Sequence, residues 1–368
     1  MKRVIFLLIF CIFLVHSSYF LSGEKCEVTH TFKLSTIIVG EGANNFFGNV
    51  VSTEGDINGD GIKDLVIGAN GAGKKREGKV YIFYGKRFAE SLNASDADLI
   101  INGEKEGDNF GWFIHTGADI NKDGVRDLIV GAITYDGEDE NCGAVYIFYG
   151  RNRKGEISAS LADRKVVGTR RNQLFGWTIS VGGDVNGDGN IDMAIGAVND
   201  LVLEEEKRII NSEVHLFFGA EFKDKADVVI SGEKFYSHTG NSISIDGDVN
   251  GDGIDDLLFG AFLCSMDAYR GGRAYLFYGR KKFEKSIKAE DADLIIKSEG
   301  ENEWVGDRVL IIPDINGDDI CDFIVSASGK DTGFKSSGAV YLYYGSKKKR
   351  KGMIKASDAD MILRLSLI

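Results

Sequence analysis

The chain has 368 residues, with 44 basic against 56 acidic side chains, a net charge of −12, 47 Gly and a single Pro. The acidic balance argues against a nucleic-acid partner. Glycine at almost twice its ordinary share of ~7%, without a Gly-X-Y period, indicates many turns rather than collagen, and amphipathic helical periodicity is hard to find, so the composition predicts an all-β chain.

Met1-Lys2-Arg3 is a basic start, and Val4 to Val15 is an unbroken apolar run. That run is too short for the ~20 residues of a membrane helix and reads as the core of a signal peptide. Residues 1–22 are taken as that signal, with cleavage between Ser17 and Gly23. No later segment is apolar enough to span a bilayer, so the expectation is a secreted or cell-surface protein, periplasmic or extracellular in a bacterium. Loss of Lys2 and Arg3 takes the net charge from −12 to −14. Apart from Cys11 in the leader, the cysteines are Cys26, Cys142, Cys264 and Cys321. An oxidising compartment permits up to two disulfides, but spacing does not pair them, and both free thiols and one long-range bridge stay open.

From about residue 30 to 368 the chain repeats itself. The pattern DxNxDxxxD begins at Asp56, Asp119, Asp184, Asp248 and Asp314, at intervals of 63, 65, 64 and 66 residues. Nine residues before each first Asp stands Phe47-Gly48, Phe110-Gly111, Phe175-Gly176, Thr239-Gly240 or Val305-Gly306. Twelve residues after it stands Gly68-Ala69, Gly131-Ala132, Gly196-Ala197, Gly260-Ala261 or Ser326-Ala327. A run such as VYIFYG follows, ending at Gly85, Gly150, Gly219, Gly279 or Gly345, and then a run such as Asp98-Leu99-Ile100-Ile101. These short runs of Val, Ile, Tyr and Phe between Gly, Asn and Asp predict four strands per repeat. Several are apolar on both faces, as in sheets sandwiched between sheets. Four short strands per repeat, with no face buried until neighbours stack, describes a β-propeller blade. Repeats span about 36–95, 96–160, 161–223, 224–288 and 289–355, with a partial copy at 356–368. Length varies in two places, the longest insertion being Val198 to Ser212. The charge runs at Glu204 to Arg208 and Lys347 to Lys351 fall there and read as solvated loop charge.

Oxygen-bearing side chains recur at positions 1, 3, 5 and 9 of each DxNxDxxxD loop. Calcium takes six to eight hard oxygen ligands, and a carbonyl at position 7 can add one. The predicted ligands are Asp56, Asn58, Asp60, Asp64 and the Ile62 carbonyl in the first loop, and Asp119, Asn121, Asp123, Asp127 and the Val125 carbonyl in the second. The third uses Asp184, Asn186, Asp188, Asp192 and the Asn190 carbonyl, and the fourth Asp248, Asn250, Asp252, Asp256 and the Ile254 carbonyl. The fifth uses Asp314, Asn316, Asp318, Asp322 and the Ile320 carbonyl; here Asp319 replaces the turn glycine and Cys321 lies inside the loop. An EF-hand needs Glu at position 12, where this chain has Ile67, Val130, Ile195, Phe259 and Val325, and needs flanking helices. The expectation is up to five Ca²⁺, each in a β-hairpin loop. Fifteen loop aspartates exceed the whole net charge of −14, so the acidity is a property of the loops.

Phe-Gly, DxNGDGxxD, Gly-Ala and Gly-x-Val-Tyr, in that order over residues 36–345, resemble the FG-GAP repeat of the integrin alpha-subunit propeller. The repeat is also found in bacterial secreted proteins and in GPI-specific phospholipase D. The resemblance implies calcium at the loop aspartates and an all-β propeller of four-stranded FG-GAP blades, five full repeats plus the start of a sixth. It departs from the integrin pattern in showing five repeats rather than seven and in lacking Pro after Gly-Ala, where Asn70, Ile133, Val198, Phe262 and Ser328 stand. Asp358 to Leu363 matches Asp291 to Ile296, and Ile37-Ile38-Val39-Gly40-Glu41 is another such run. One strand is therefore surplus to five closed blades, through either a fragment ending inside a sixth repeat or a closing strap; the fragment is the favoured reading.

The resemblance implies an extracellular interaction or adhesion module that recognises a protein or glycan through the loops of one face. A β-type partner subunit would be of unknown identity. His16 lies in the leader, His30, His115, His215 and His238 are scattered, and no zinc spacing or nucleophile motif appears. The expectation is therefore a non-enzyme, the alternative being a secreted propeller hydrolase or a phospholipase D-like fragment. Asn93-Ala94-Ser95 is a glycosylation acceptor.

Overall fold

The computed structural model describes residues 36–364 except 87, 199–201, 204–207, 210–211, 220–222 and 234–235. The signal segment 1–22 and Cys26 lie outside the described residues. The described chain is all-β, its helical content being four single 3₁₀ turns beginning at Ala94, Ala159, Ala289 and Ala356.

Five antiparallel four-stranded blades follow one another. Blade 1 holds Val51–Ser52, Leu65–Ala69, Lys79–Phe83 and Leu99–Asn102, and blade 2 holds Phe110–His115, Leu128–Ala132, Ala144–Phe148 and Arg164–Val167. Blade 3 holds Phe175–Val181, Met193–Ala197, Glu213–Phe217 and Val228–Ser231. Blade 4 holds Ile243–Ser244, Leu257–Ala261, Arg273–Phe277 and Leu294–Lys297. Blade 5 holds Val305–Ile312, Asp322–Ala327, Ala339–Tyr343 and Met361–Leu363. These are the four strand types read from each repeat.

Blade and sequence repeat are offset in space, because the run that opens one sequence repeat completes the previous blade. Met361–Leu363, in the partial sixth copy, is accordingly the outer strand of blade 5. After Gly150, Gly279 and Gly345 a short strand crosses to the preceding blade and pairs in parallel with its outer strand. Gly155–Ser158 does so on Leu99–Asn102, Ser286–Lys288 on Val228–Ser231 and Gly352–Lys355 on Leu294–Lys297. Ile37–Val39 receives the same parallel pairing from Ser91–Asn93, in a two-stranded sheet of its own.

Successive residues of the middle strands enter different clusters, as period-2 side-chain alternation requires. In blade 2, Leu128 and Val130 pack with Val66, Val80 and Ile82 of blade 1, while Ile129 packs with Ile179 and Val181 of blade 3. Val214 and Leu216 of blade 3 meet Leu257 and Phe259 of blade 4, and Leu258 and Leu276 of blade 4 meet Val325 and Tyr341 of blade 5. Each such buried aliphatic is worth roughly 1.5–3 kcal/mol relative to exposure. No described cluster joins blade 5 to blade 1.

Backbone contact between blades accounts for the glycines of both short motifs. A Cβ on Gly68, Gly131, Gly196 or Gly260 would stand 2.4, 2.4, 2.3 or 1.9 Å from the carbonyl oxygen of Gly111, Gly176, Gly240 or Gly306 of the next blade. Those partner glycines have φ between 82° and 94°, the left-handed region that glycine enters freely. The Gly-Ala glycine of one blade thus lies on the Phe-Gly glycine of the next. Ser326 takes this place in blade 5, where no following blade is among the described residues, and its hydroxyl accepts from the Arg308 N–H at 2.8 Å.

Candidate metal centres

Each DxNxDxxxD segment links the first and second strands of a blade, so all five loops lie at one end of the blades. The sharp turn at position 6 is left-handed in all five, with φ 88°, 89°, 85° and 86° at Gly61, Gly124, Gly189 and Gly253 and 64° at Asp319. Its N–H donates to the position-1 carboxylate throughout, at 2.7, 2.9, 2.7, 2.6 and 2.8 Å. The fifth loop therefore has the conformation of the others, and Asp319 supplies the turn that glycine supplies elsewhere. Its position-2 residue, Ile315, is exposed, whereas Ile57, Ile120, Val185 and Val249 are buried.

The position-9 aspartates, Asp64, Asp127, Asp192, Asp256 and Asp322, are all buried. One oxygen accepts from the position-2 N–H at 2.6–2.9 Å. The other accepts from the N–H of Gly85, Gly150, Gly219, Gly279 or Gly345 at 2.8–2.9 Å. The YG glycine is thereby tied to the loop, a role that spacing alone did not show. Desolvation raises the carboxyls of Asp127, Asp192 and Asp256 to about 6, 7 and 7, helped by the position-1 and position-5 charges of the same loop. Asp64 and Asp322 are raised for the same reasons.

Positions 3 and 5 also meet. The Asn amide donates to the second oxygen of the position-5 carboxylate in loops 1, 2, 3 and 5, at 3.0, 2.8, 3.0 and 3.3 Å. In loop 4, Asn250 turns inward and donates to Asp256 at 3.0 and 3.2 Å, leaving its own Oδ1 buried without a partner. Position-7 N–H groups donate to the position-5 carboxylate, at 2.9, 2.9, 2.8, 3.1 and 3.1 Å for Ile62, Val125, Asn190, Ile254 and Ile320. Among the described residues no group of three or more His, Cys, Asp or Glu side chains is close enough to hold a metal ion. The loop carboxylates instead accept from their own N–H groups.

The donor set nevertheless fits a hard divalent cation: three carboxylates, one amide and one main-chain carbonyl per loop, with like charges opposing one another around a buried carboxyl. Neighbouring loops are also joined. The position-8 N–H groups of Arg126, Asp255 and Cys321 each donate at 3.2 Å to the position-1 carbonyl of the preceding loop, on Asp56, Asp184 and Asp248. Lys347 to Lys351 is not wholly solvated, because the Lys349 Nζ lies 2.8 Å from Asp252. Cys142, Cys264 and Cys321 are free thiols.

The opposite end of the blades carries the Phe-Gly pairs and the loops joining second to third and fourth to first strands. Phe46, Tyr236, Tyr269 and Phe334 are more than half exposed there. Trp112 and Trp177, each following a Phe-Gly pair, lie with ring centroids 4.8 Å apart.

Such a molecule is a bladed all-β repeat protein with an acidic hairpin loop in every blade. The FG-GAP repeat pattern matches residues 47–83 and 110–148. The chain is 31% identical over 189 residues to integrin alpha-11 of Homo sapiens, covering 49% of this chain and 15% of the integrin. It is 35% identical over 207 residues to the phosphatidylinositol-glycan-specific phospholipase D of Bos taurus, covering 53% of this chain and 24% of that protein. With the Rattus norvegicus phospholipase the match is 27% over 278 residues, 70% of this chain and 32% of the other. The chain thus spans at most about a third of these relatives' length. Its first two blades thus carry FG-GAP repeats, and the chain is similar to the integrin alpha subunits.

Proposed function

We propose that this chain is an exported, non-catalytic interaction module whose loops bind calcium and whose Phe-Gly end recognises a protein or glycan. Four aromatic side chains, Phe46, Tyr236, Tyr269 and Phe334, exposed in loops at one end of a rigid stack of sheets, carry this reading. Exposed aromatics on loops held by a scaffold supply large, rigid contact area at low entropic cost. The similarity to integrin alpha subunits supports a protein partner. Among the described residues no helix is long and apolar enough to cross a membrane.

Calcium would be held by positions 1, 3, 5, 7 and 9 of each loop, neutralising carboxylates that otherwise repel across one hairpin. Asn93, exposed at the end of its strand, is an acceptor for a glycan in a glycosylating host. The test is an array of matrix proteins and glycans probed with and without calcium. Calcium-dependent capture that Tyr236→Ala and Tyr269→Ala each weaken about tenfold is expected, the two being surface residues at a contact centre. Binding that neither substitution alters would place the contact elsewhere. Turnover of phosphatidylinositol glycans or of model esters by the purified chain would overturn the non-catalytic reading.

A further inference from the structure

In four loops the free oxygen of the position-5 carboxylate is met by the Asn two residues earlier. In loop 4 it is met by an ammonium group from the next blade. Lys349 Nζ lies 2.8 Å from Asp252 Oδ2, and Asn250 has turned away to Asp256. The lysine belongs to the link following the third strand of blade 5, and that link is fastened over loop 4 along its length. The Ser346 N–H donates to the Val249 carbonyl at 3.0 Å. The Lys347 stem lies against Gly251. The Arg350 carbonyl accepts from the Tyr278 hydroxyl at 2.8 Å, and the Lys349 ammonium sits 4.9 Å from the centre of the same tyrosine ring. Blade 2 fastens its link over loop 1 in the same way, through Tyr84 and the Arg153 carbonyl. The residue before that carbonyl is Asn152, which carries no charge.

We propose that Lys349 is a tethered competitor for the cation of the fourth loop. Its ammonium compensates the loop's negative charge when no ion is bound, and calcium must displace it from Asp252. The fourth loop then binds more weakly than its sequence, the fully regular DVNGDGIDD, implies, and its filling releases Lys349 from blade 4. This inference rests on the calcium reading of the loops and adds a difference among them that the motif does not contain.

Lys349 and Asp252 are each about one-third exposed, at 35% and 33%. An ion pair so placed is modest, while a unit charge beside a divalent ion is a stronger opponent. Calcium titration by calorimetry should show one site in Lys349→Met tightened roughly three- to tenfold over the wild type. Lys348→Met removes the same charge from an exposed neighbour and should leave that site within about twofold. The tightening should vanish when Asp252→Asn is combined with Lys349→Met. Thermal unfolding adds a readout that a packing role would not produce: Lys349→Met should unfold no later than the wild type when metal-free, yet later when calcium-loaded. A wild-type chain that binds no calcium overturns both readings. Calcium binding that Lys349→Met tightens no more than Lys348→Met overturns this inference alone.

Discussion

Asp192 and Asp256 show how one residue type takes two roles in these loops. Each is buried, accepts two main-chain N–H groups and faces two further aspartates, and desolvation holds its carboxyl near 7. An aspartate titrates near ~3.9 when unfolded, so the folded pKa lies above the unfolded one. Stability from such a group is fully present below about pH 4 and is lost as pH rises through 7. The metal-free protein is therefore expected to unfold at higher temperature at pH 5 than at pH 8, by on the order of a few kcal/mol from these groups. Calcium needs the ionised carboxylates and should reverse the order. Melting curves of metal-stripped and calcium-loaded protein at the two pH values check this, and a metal-free chain more stable at pH 8 would refute it. The aspartates and their spacing were legible in the sequence. Their clamp on the YG glycine was not, because it joins positions 21 to 27 residues apart that only the hairpin brings together.

At the scale of elements, the Gly-Ala and Phe-Gly motifs are two halves of one contact between neighbouring blades. Gly196→Ala would place a methyl 2.3 Å from the Gly240 carbonyl, backbone against backbone, where Gly196 is held in its ladder and the Gly240 turn is held by its N–H on the Gly260 carbonyl at 2.8 Å. We expect a loss of about 3 kcal/mol or more, at the upper end for overpacking. Ser326→Ala, at the matching place in blade 5, loses one hydrogen bond and should cost about 1 kcal/mol. Urea unfolding of the two variants separates them, and equal effects would remove the contact as the reason for the glycine. Strand identity came readily from the sequence, since the Val-, Ile- and Tyr-rich runs are bounded by Gly and Asp. The strands that cross between blades did not: Gly155–Ser158 and Gly352–Lys355 are short and exposed, and they pair only with the preceding blade.

For the whole molecule, bound calcium would act as five clasps at one end of the blades, where position-8 N–H groups join loop 1 to 2, loop 3 to 4 and loop 4 to 5. At free calcium about ten times Kd each site would add ~1.4 kcal/mol, and five sites ~7 kcal/mol. That is comparable with the ~5–15 kcal/mol of an ordinary domain. Chelation is expected to lower the melting temperature by roughly 10 °C. A thermal scan with and without chelator measures it, and an unchanged midpoint would refute calcium binding.

Period and composition by themselves determined that this chain is all-β, built from a unit of about 64 residues with one acidic hairpin in each, because strand alternation and turn chemistry are local. Tertiary structure decided where one blade ends and the next begins, since the outer strand of each sheet comes from the opening of the following repeat. It also decided that the fifth loop folds like the others although its glycine is missing, through Asp319 in a left-handed turn. Lys349 was one charge in a basic run until the fold laid it on Asp252, 97 residues earlier, and no periodicity in the chain encodes that contact.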